Sequence, residues 1–259
     1  MRINSLSLEN YRNIIRCDLT PGEGVNLIVG DNAQGKTNLM EAIWLLTGEK
    51  TFRYGREHDI PRLDMDRETQ RTRVYANVFA EGRDQELEYI LWPRRQVKIN
   101  GITEPGRGAF SGKLCCVIFS PNHLSLVRDG PAERRDFLDG AICQLRPQYI
   151  KVLSDYNRAL AQRSTLLREA FRDRGRLDLL PVFDYHVARL GSLIQVTRQS
   201  YLTRLAEYAA GFHQGISAGK EELSVRYTIG GTGSGILDPE GSREELEQAL
   251  LSLLEQGRE

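Results

Sequence analysis

Eight consecutive residues, Gly30-Asp31-Asn32-Ala33-Gln34-Gly35-Lys36-Thr37, combine the side-chain types that grip a polyphosphate. Gly30 and Gly35 open backbone angles closed to most residues, so the N–H groups of Asn32, Ala33, Gln34 and Gly35 can turn inward around an anion. A helix beginning where this loop ends aims its positive dipole end at the same point. Lys36 would then reach the β- and γ-phosphates, and the Thr37 hydroxyl would hold Mg²⁺. The chemistry is that of a nucleoside triphosphate with magnesium.

Such a loop needs a strand before it and a helix after it. Val25-Asn26-Leu27-Ile28-Val29 is a short apolar, β-branched run that reads as a buried strand. Beyond the loop, Leu39, Ile43 and Leu46 fall on one helical face, and Gly48 suits the left-handed cap that ends a helix.

The chain has 259 residues, 35 basic against 35 acidic, with 40% hydrophobic and 27% charged content, ordinary values for a soluble globular protein. No apolar run approaches membrane-span length and the start Met1-Arg2-Ile3-Asn4-Ser5 lacks a signal-peptide core, so a cytoplasmic protein without membrane contact is expected. The four cysteines, with Cys115 and Cys116 adjacent, match neither a disulfide framework nor a zinc spacing. The histidines at 58, 123, 186 and 213 are scattered, and no metal site is expected from them. Charge is unevenly spread. Residues 126–176 hold eleven Lys/Arg against seven Asp/Glu, whereas residues 207–259 hold four against ten. A basic middle suits either nucleic acid or the solvated side of long helices.

Taken in order, Ile3, Leu6 and Leu8 and then Ile15, Cys17 and Leu19 predict two strands with a polar corner at Asn10-Tyr11-Arg12-Asn13. Thr51 to Asp59 reads as a charged loop with aromatics. Residues 71–80 and 85–92 alternate as strands, and Asn100-Gly101 marks a tight hairpin between Val97-Ile99 and Ile102. Arg71, Arg73, Arg94, Arg95 and Lys98 fall mostly on outward positions of this antiparallel sheet. Leu114 to Phe119 lacks polar alternation and reads as a central strand buried on both faces. From Pro131 the pattern turns helical, with Pro131, Pro147 and Pro181 opening successive helices. Leu223, Val225, Tyr227 and Ile229 alternate as a returning strand. A Gly-rich loop follows, and Ser242 with Glu245 forms a capping box for a last helix.

Several blocks carry a family resemblance. They are Asn10-Tyr11-Arg12-Asn13, then Gly35-Lys36-Thr37-Asn38-Leu39-Met40-Glu41-Ala42, then Phe119-Ser120-Pro121 with Leu124. Pro131, Arg134-Arg135, Phe137-Leu138-Asp139, Tyr156, Leu160 and Gln162-Arg163 complete the set. With these the chain resembles an ABC-type ATPase head of the SMC kind. Within that group it resembles the RecF family of bacterial recombination-mediator and gap-repair proteins, from end to end. One departure is Ala33, where glycine is common in the wider SMC group.

The resemblance implies an α/β fold, a P-loop ATPase head with an antiparallel β subdomain and a helical insertion lobe. The expected divisions are an ATPase lobe over 1–125, a helical lobe over 126–220, and a returning strand and helix over 221–259. It further implies an ATP-dependent DNA-binding protein of recombinational repair, replication restart and the SOS response. Such a protein dimerises on DNA with ATP, at single-stranded or gapped junctions, and works with RecR-type and RecO-type mediators to load a recombinase. Lys36 and Thr37 would serve ATP and Mg²⁺, residues 30–38 (Gly30, Asp31, Asn32, Ala33, Gln34, Gly35, Lys36, Thr37, Asn38) would bind the nucleotide, and Arg12 and Asn13 would flank it. Arg53 matches the arginine loop that links DNA to hydrolysis in SMC heads. DNA phosphates would meet Arg53, Arg71, Arg73, Arg94, Arg95, Lys98, Arg134 and Arg135.

RecF-like chains continue past this length into a signature loop, an acidic strand and a switch histidine, none of which occurs here. The expectation is therefore a truncated chain carrying half of an ATP site. The full-length dimer would be a slow DNA-stimulated ATPase and the chain alone inactive. A nucleotide-binding interaction module and a metabolic P-loop kinase are the alternatives.

Overall fold

A computed structural model of the chain describes residues 1–52, 57–170, 174–228 and 241–257. It divides into two compact units, Met1–Pro147 and Gln148–Glu259.

The first unit is built on a six-stranded antiparallel sheet in the order β2-β1-β3-β4-β5-β6. Its strands are β1 (Arg2–Tyr11), β2 (Ile14–Leu19), β3 (Thr72–Ala80), β4 (Arg83–Trp92), β5 (Gln96–Ile99) and β6 (Ile102–Glu104). Period-two alternation puts Leu6 and Leu8 of β1, Val74, Ala76 and Val78 of β3, and Leu87 and Tyr89 of β4 on one buried face. The helix α1 (Lys36–Leu45) covers that face with Leu39, Ala42 and Leu45, and Ile60, Phe110 and Leu114 close the same core. The Asn100-Gly101 hairpin forms as expected, with both residues at positive φ (52° and 79°), the combination a tight two-residue turn demands.

The opposite face of the sheet is a ladder of charges. Asp18 accepts from Ser7 at 2.7 Å and from Arg16 at 2.8 Å. Glu9 takes Arg71 at 2.9 Å, Arg73 bonds Glu88, and Lys98 reaches Glu88 at 3.2 Å. Apart from Arg16 and Asp18, which share β2, the ion pairs join neighbouring strands with opposite charges, the arrangement that stabilises a solvated sheet face.

Three expected strands do not form. Residues 25–29 and 114–119 pair with no strand among the described residues, and 223–228 likewise lies outside any ladder, with Ile229 beyond the described residues. Val25, Leu27 and Val29 are 97, 85 and 81% exposed, and Val117 and Phe119 are also open to solvent. The composition of a run sets its preference for extended backbone, but a strand exists only where a neighbour completes its hydrogen bonds. Residues 114–119 instead take a side-chain partner from further along the chain: the Cys116 N–H donates to Gln144 Oε1 at 2.8 Å.

After the short helix α2 (Ser125–Arg128) comes α3 (Pro131–Leu145), still in the first unit. The second unit packs α4 (Pro147–Ala170), the long α5 (Leu180–Ile216) and α6 (Arg243–Gln256). Pro131 and Pro181 open their helices, and Ser242 with Glu245 forms the capping box of α6. Buried Arg163 of α4 bonds Asp184 of α5 and donates to the Leu254 carbonyl of α6 at 2.8 Å, so one guanidinium ties three helices. The Gly-rich loop after residue 229 lies outside the described residues.

Candidate nucleotide site

Gly35 is the N-cap of α1, at φ 104°, and no side chain caps the first turn of that helix. Its leading N–H groups are left for an external acceptor. Gly30 and Ala33 also have positive φ, 155° and 65°, so the loop turns its amides as the sequence pattern requires. A side chain at Gly35 would meet Asn13 Oδ1 at 2.9 Å, so the position needs glycine for space as well as for angle. Ala33 pays a strain of about 1 kcal/mol for a left-handed backbone that glycine adopts freely.

Asn13 braces the loop from the β1–β2 corner. Its Nδ2 donates to the Ala33 carbonyl at 2.8 Å, and its Oδ1 accepts from Asn38 Nδ2 at 2.7 Å. The Lys36 ammonium donates to the carbonyls of Gly30 and Asp31, both at 2.6 Å, which sets it inside the turn. Thr37 sits exposed on the first turn of α1. Asn13 and residues 32–38 line a cleft of about 770 Å³, a size that admits a nucleotide. A polyanion fits this donor set: amides, one ammonium and a hydroxyl, with no acid in the first turn of α1.

Arg12 lines the same cleft, but its guanidinium is engaged elsewhere. Its Nη2 and Nε reach the two oxygens of Glu41 at 2.7 and 3.0 Å, and its Nη1 reaches the Asp59 carbonyl at 3.1 Å. Glu41 is fully buried on α1 and also accepts from the Thr51 hydroxyl. Burial pushes the Glu41 carboxyl up, but the bonds from Arg12 and Thr51 outweigh it and hold the group below the usual carboxylate range. For Arg12, burial acts downward and the Glu41 carboxylate raises the net value.

Sequence reasoning missed Glu41 in this role, and it missed the far wall of the cleft, where Asp59, Pro61, Arg62, Leu63 and Asp64 stand. The apolar pair Ile60-Pro61 inside a charged stretch was the available signal, since Ile60 is fully buried. The Glu41 signal was weaker: one acid on a helix gives no sign of facing inward.

The basic residues expected to meet DNA fall into three groups. Arg71, Arg73 and Lys98 belong to the charge ladder with Glu9 and Glu88, and Arg95 holds Glu57 at 2.6 Å. Arg134 donates to the carbonyls of Leu126 and Asp129 at 2.9 and 3.0 Å, closing the end of α2. Arg94 and Arg135 are exposed and, among the described residues, make no ion pair. Arg53 lies outside the described residues. Those residues hold no metal-ligating cluster of His, Cys, Asp and Glu, and no helix long and apolar enough to cross a membrane.

Residues 1–99 match the family model of an AAA ATPase domain. The chain is 35% identical to the DNA replication and repair protein RecF of Acetivibrio thermocellus, over 88% of this chain and 61% of that protein. It is 34% identical to RecF of Symbiobacterium thermophilum over 100% of this chain and 68% of the relative. For RecF of Gloeobacter violaceus the values are 36%, 100% and 67%. The solved structure of the recombination mediator protein RecF–ATPrS in the RecFOR pathway superposes with a TM-score of 0.88 at 29% identity, covering 99% of this chain and 67% of that one. The corresponding RecF–ATP structure gives 0.86. The chain thus spans about three-fifths to two-thirds of the length of these relatives.

Proposed function

Because this chain belongs to the RecF family of DNA replication and repair proteins, we propose that it binds ATP with Mg²⁺ at residues 30–38 and serves recombinational repair as one half of a nucleotide-gated clamp on DNA. The single observation that carries the reading is the uncapped start of α1 behind a left-handed amide turn with Lys36 inside it. In this reading Lys36 and the loop amides hold the phosphates, Thr37 holds Mg²⁺, and Asn13 keeps the turn in shape. ATP supplies the γ-phosphate that favours association of two heads, and its loss after hydrolysis releases them. Partners of the RecR and RecO types are part of the proposal, supported by the RecFOR pathway to which the solved relatives belong. DNA phosphates would meet Arg94 and Arg135, two of the expected contacts that are exposed and, among the described residues, make no ion pair.

Calorimetry with Mg²⁺ tests the premise. Lys36→Ala is expected to abolish ATP uptake; retention of the wild-type affinity would sink the proposal. Arg94→Glu with Arg135→Glu is expected to flatten the slope of log affinity for DNA against log salt by roughly one to two. An unchanged slope would remove both arginines from the interface.

A second reading, binding without turnover by this chain, draws support from the cleft's carboxylates. Asp64 is paired with Arg62 and Asp59 with His58 (3.0 Å), so neither is placed to activate a water. Phosphate release by the chain alone separates the two readings.

A further inference from the structure

Two asparagines, far apart in sequence, form a relay beside the loop. Asn38, in the first turn of α1, keeps only 9% of its surface in water. Its Nδ2 donates to Asn13 Oδ1 at 2.7 Å, and Asn13 Nδ2 donates in turn to the Ala33 carbonyl at 2.8 Å. The donors run one way, from helix to corner to loop. Asn13, in the middle, must accept with one atom and donate with the other, which a carboxamide does and a carboxylate does not. It touches the loop at a second point as well, since its Oδ1 and Ile14 Cγ1 fill the space that a Cβ on Gly35 would need, at 2.9 and 3.3 Å. The peptide that joins Ala33 to Gln34 is planar, with its carbonyl and its N–H pointing opposite ways. Fixing the Ala33 carbonyl on Asn13 therefore fixes the aim of the Gln34 N–H. Ala33 stands at φ 65°, a conformation that a residue with a Cβ keeps only where its neighbours hold it.

We propose that Asn38 is a positioning residue: acting through Asn13, it holds the Ala33–Gln34 peptide so that the Gln34 N–H faces the bound anion. The proposal rests on the reading of residues 30–37 as the triphosphate grip, and it adds why asparagine stands at both 13 and 38. It also gives α1 two separate roles at the loop. The leading amides of the helix meet the anion directly, while Asn38 aims an amide that lies upstream of the helix. Preorganisation is the physical gain, because a peptide already turned costs little ordering when the ligand arrives.

A double-mutant cycle on ATP affinity, measured by calorimetry of the intact chain with Mg²⁺, tests it. Asn13→Ala and Asn38→Ala should each weaken ATP about tenfold, the worth of one hydrogen bond. The double variant should lose no more than about tenfold, because either change already breaks the relay. Losses that multiply to about a hundredfold would mean two separate roles and overturn the proposal. Asn38→Asp turns the donor into an acceptor, so Asn13 rotates to donate to it and presents its oxygen to the Ala33 carbonyl. That variant should bind ATP more weakly than Asn38→Ala, and the excess should vanish once residue 13 is alanine. An excess that persists is direct repulsion of phosphate by the new charge, and it overturns the relay. If the Asn38 variants fail to fold, amide resonances of the nucleotide-free chain decide. Asn13→Ala, a change at an exposed position that leaves the fold intact, should move the Gln34 N–H resonance. An unmoved Gln34 resonance overturns the proposal and leaves the phosphate grip standing, whereas a wild type that binds no ATP removes both.

Discussion

The loop of residues 30–35 is entered and left through opposite kinds of structure. Residues 25–29 precede it, unpaired and largely open to solvent. The helix that follows it buries Leu39, Ala42 and Leu45 in the main core and Glu41 in an ion pair. The loop's shape is thus held from its exit and from Asn13 at the side, while the entry contributes no ladder. With no strand before it, the loop is held in place by the helix that follows and by Asn13.

The sharpest way to break this contrast is to delete side chains on either flank. Glu41→Ala should cost about 4 kcal/mol, because it leaves the Arg12 guanidinium without its buried partner. Leu45→Ala should cost about 3 kcal/mol through the cavity it opens. Leu27→Ala should stay within about 0.5 kcal/mol, its side chain being already in water. Urea midpoints decide the matter, and a Leu27→Ala penalty as large as that of Leu45→Ala would mean the entry run is packed in solution.

Amide exchange sharpens the same point. Residues 39–45 should be protected roughly a thousandfold more than 25–29, since their opening approaches global unfolding. Equal protection would contradict the unpaired entry.

The helix flank also carries a pH signature. The Glu41 carboxyl is held below its ordinary value near 4.5, so its contribution to stability is complete above that value and disappears as pH falls through the folded one. Between about pH 5 and about pH 3, wild type should therefore lose stability more steeply than Glu41→Gln. Parallel curves would mean the Arg12 pair is absent in solution. Ala33→Gly should have the smallest effect, a gain of about 0.5 kcal/mol at most, as relief of the left-handed strain is partly offset by the freer unfolded chain.

The sequence made local structure readable and long-range pairing unreadable. Hairpins β3–β4 and β5–β6 were visible because alternation and Asn100-Gly101 lie within a few residues of each other. Helix starts at Pro131, Pro181 and Ser242 were visible for the same reason. Residues 25–29 and 114–119 have equally strand-like composition, but a buried strand of this kind needs partners distant in sequence, and composition carries no address for them. In the candidate site, the turn into α1 was legible because its glycines mark positive-φ positions at fixed spacing. Glu41 and the 59–64 wall were not, because their roles come from folding distant segments onto α1.

The outer face of the sheet has a further consequence. With Glu9, Asp18 and Glu88 each answering the arginines and lysine around them, that side projects almost no field beyond its first layer of water. A polyanion diffusing past it feels no pull, so capture must begin at some other part of the surface, and ionic strength should scarcely alter how this side behaves.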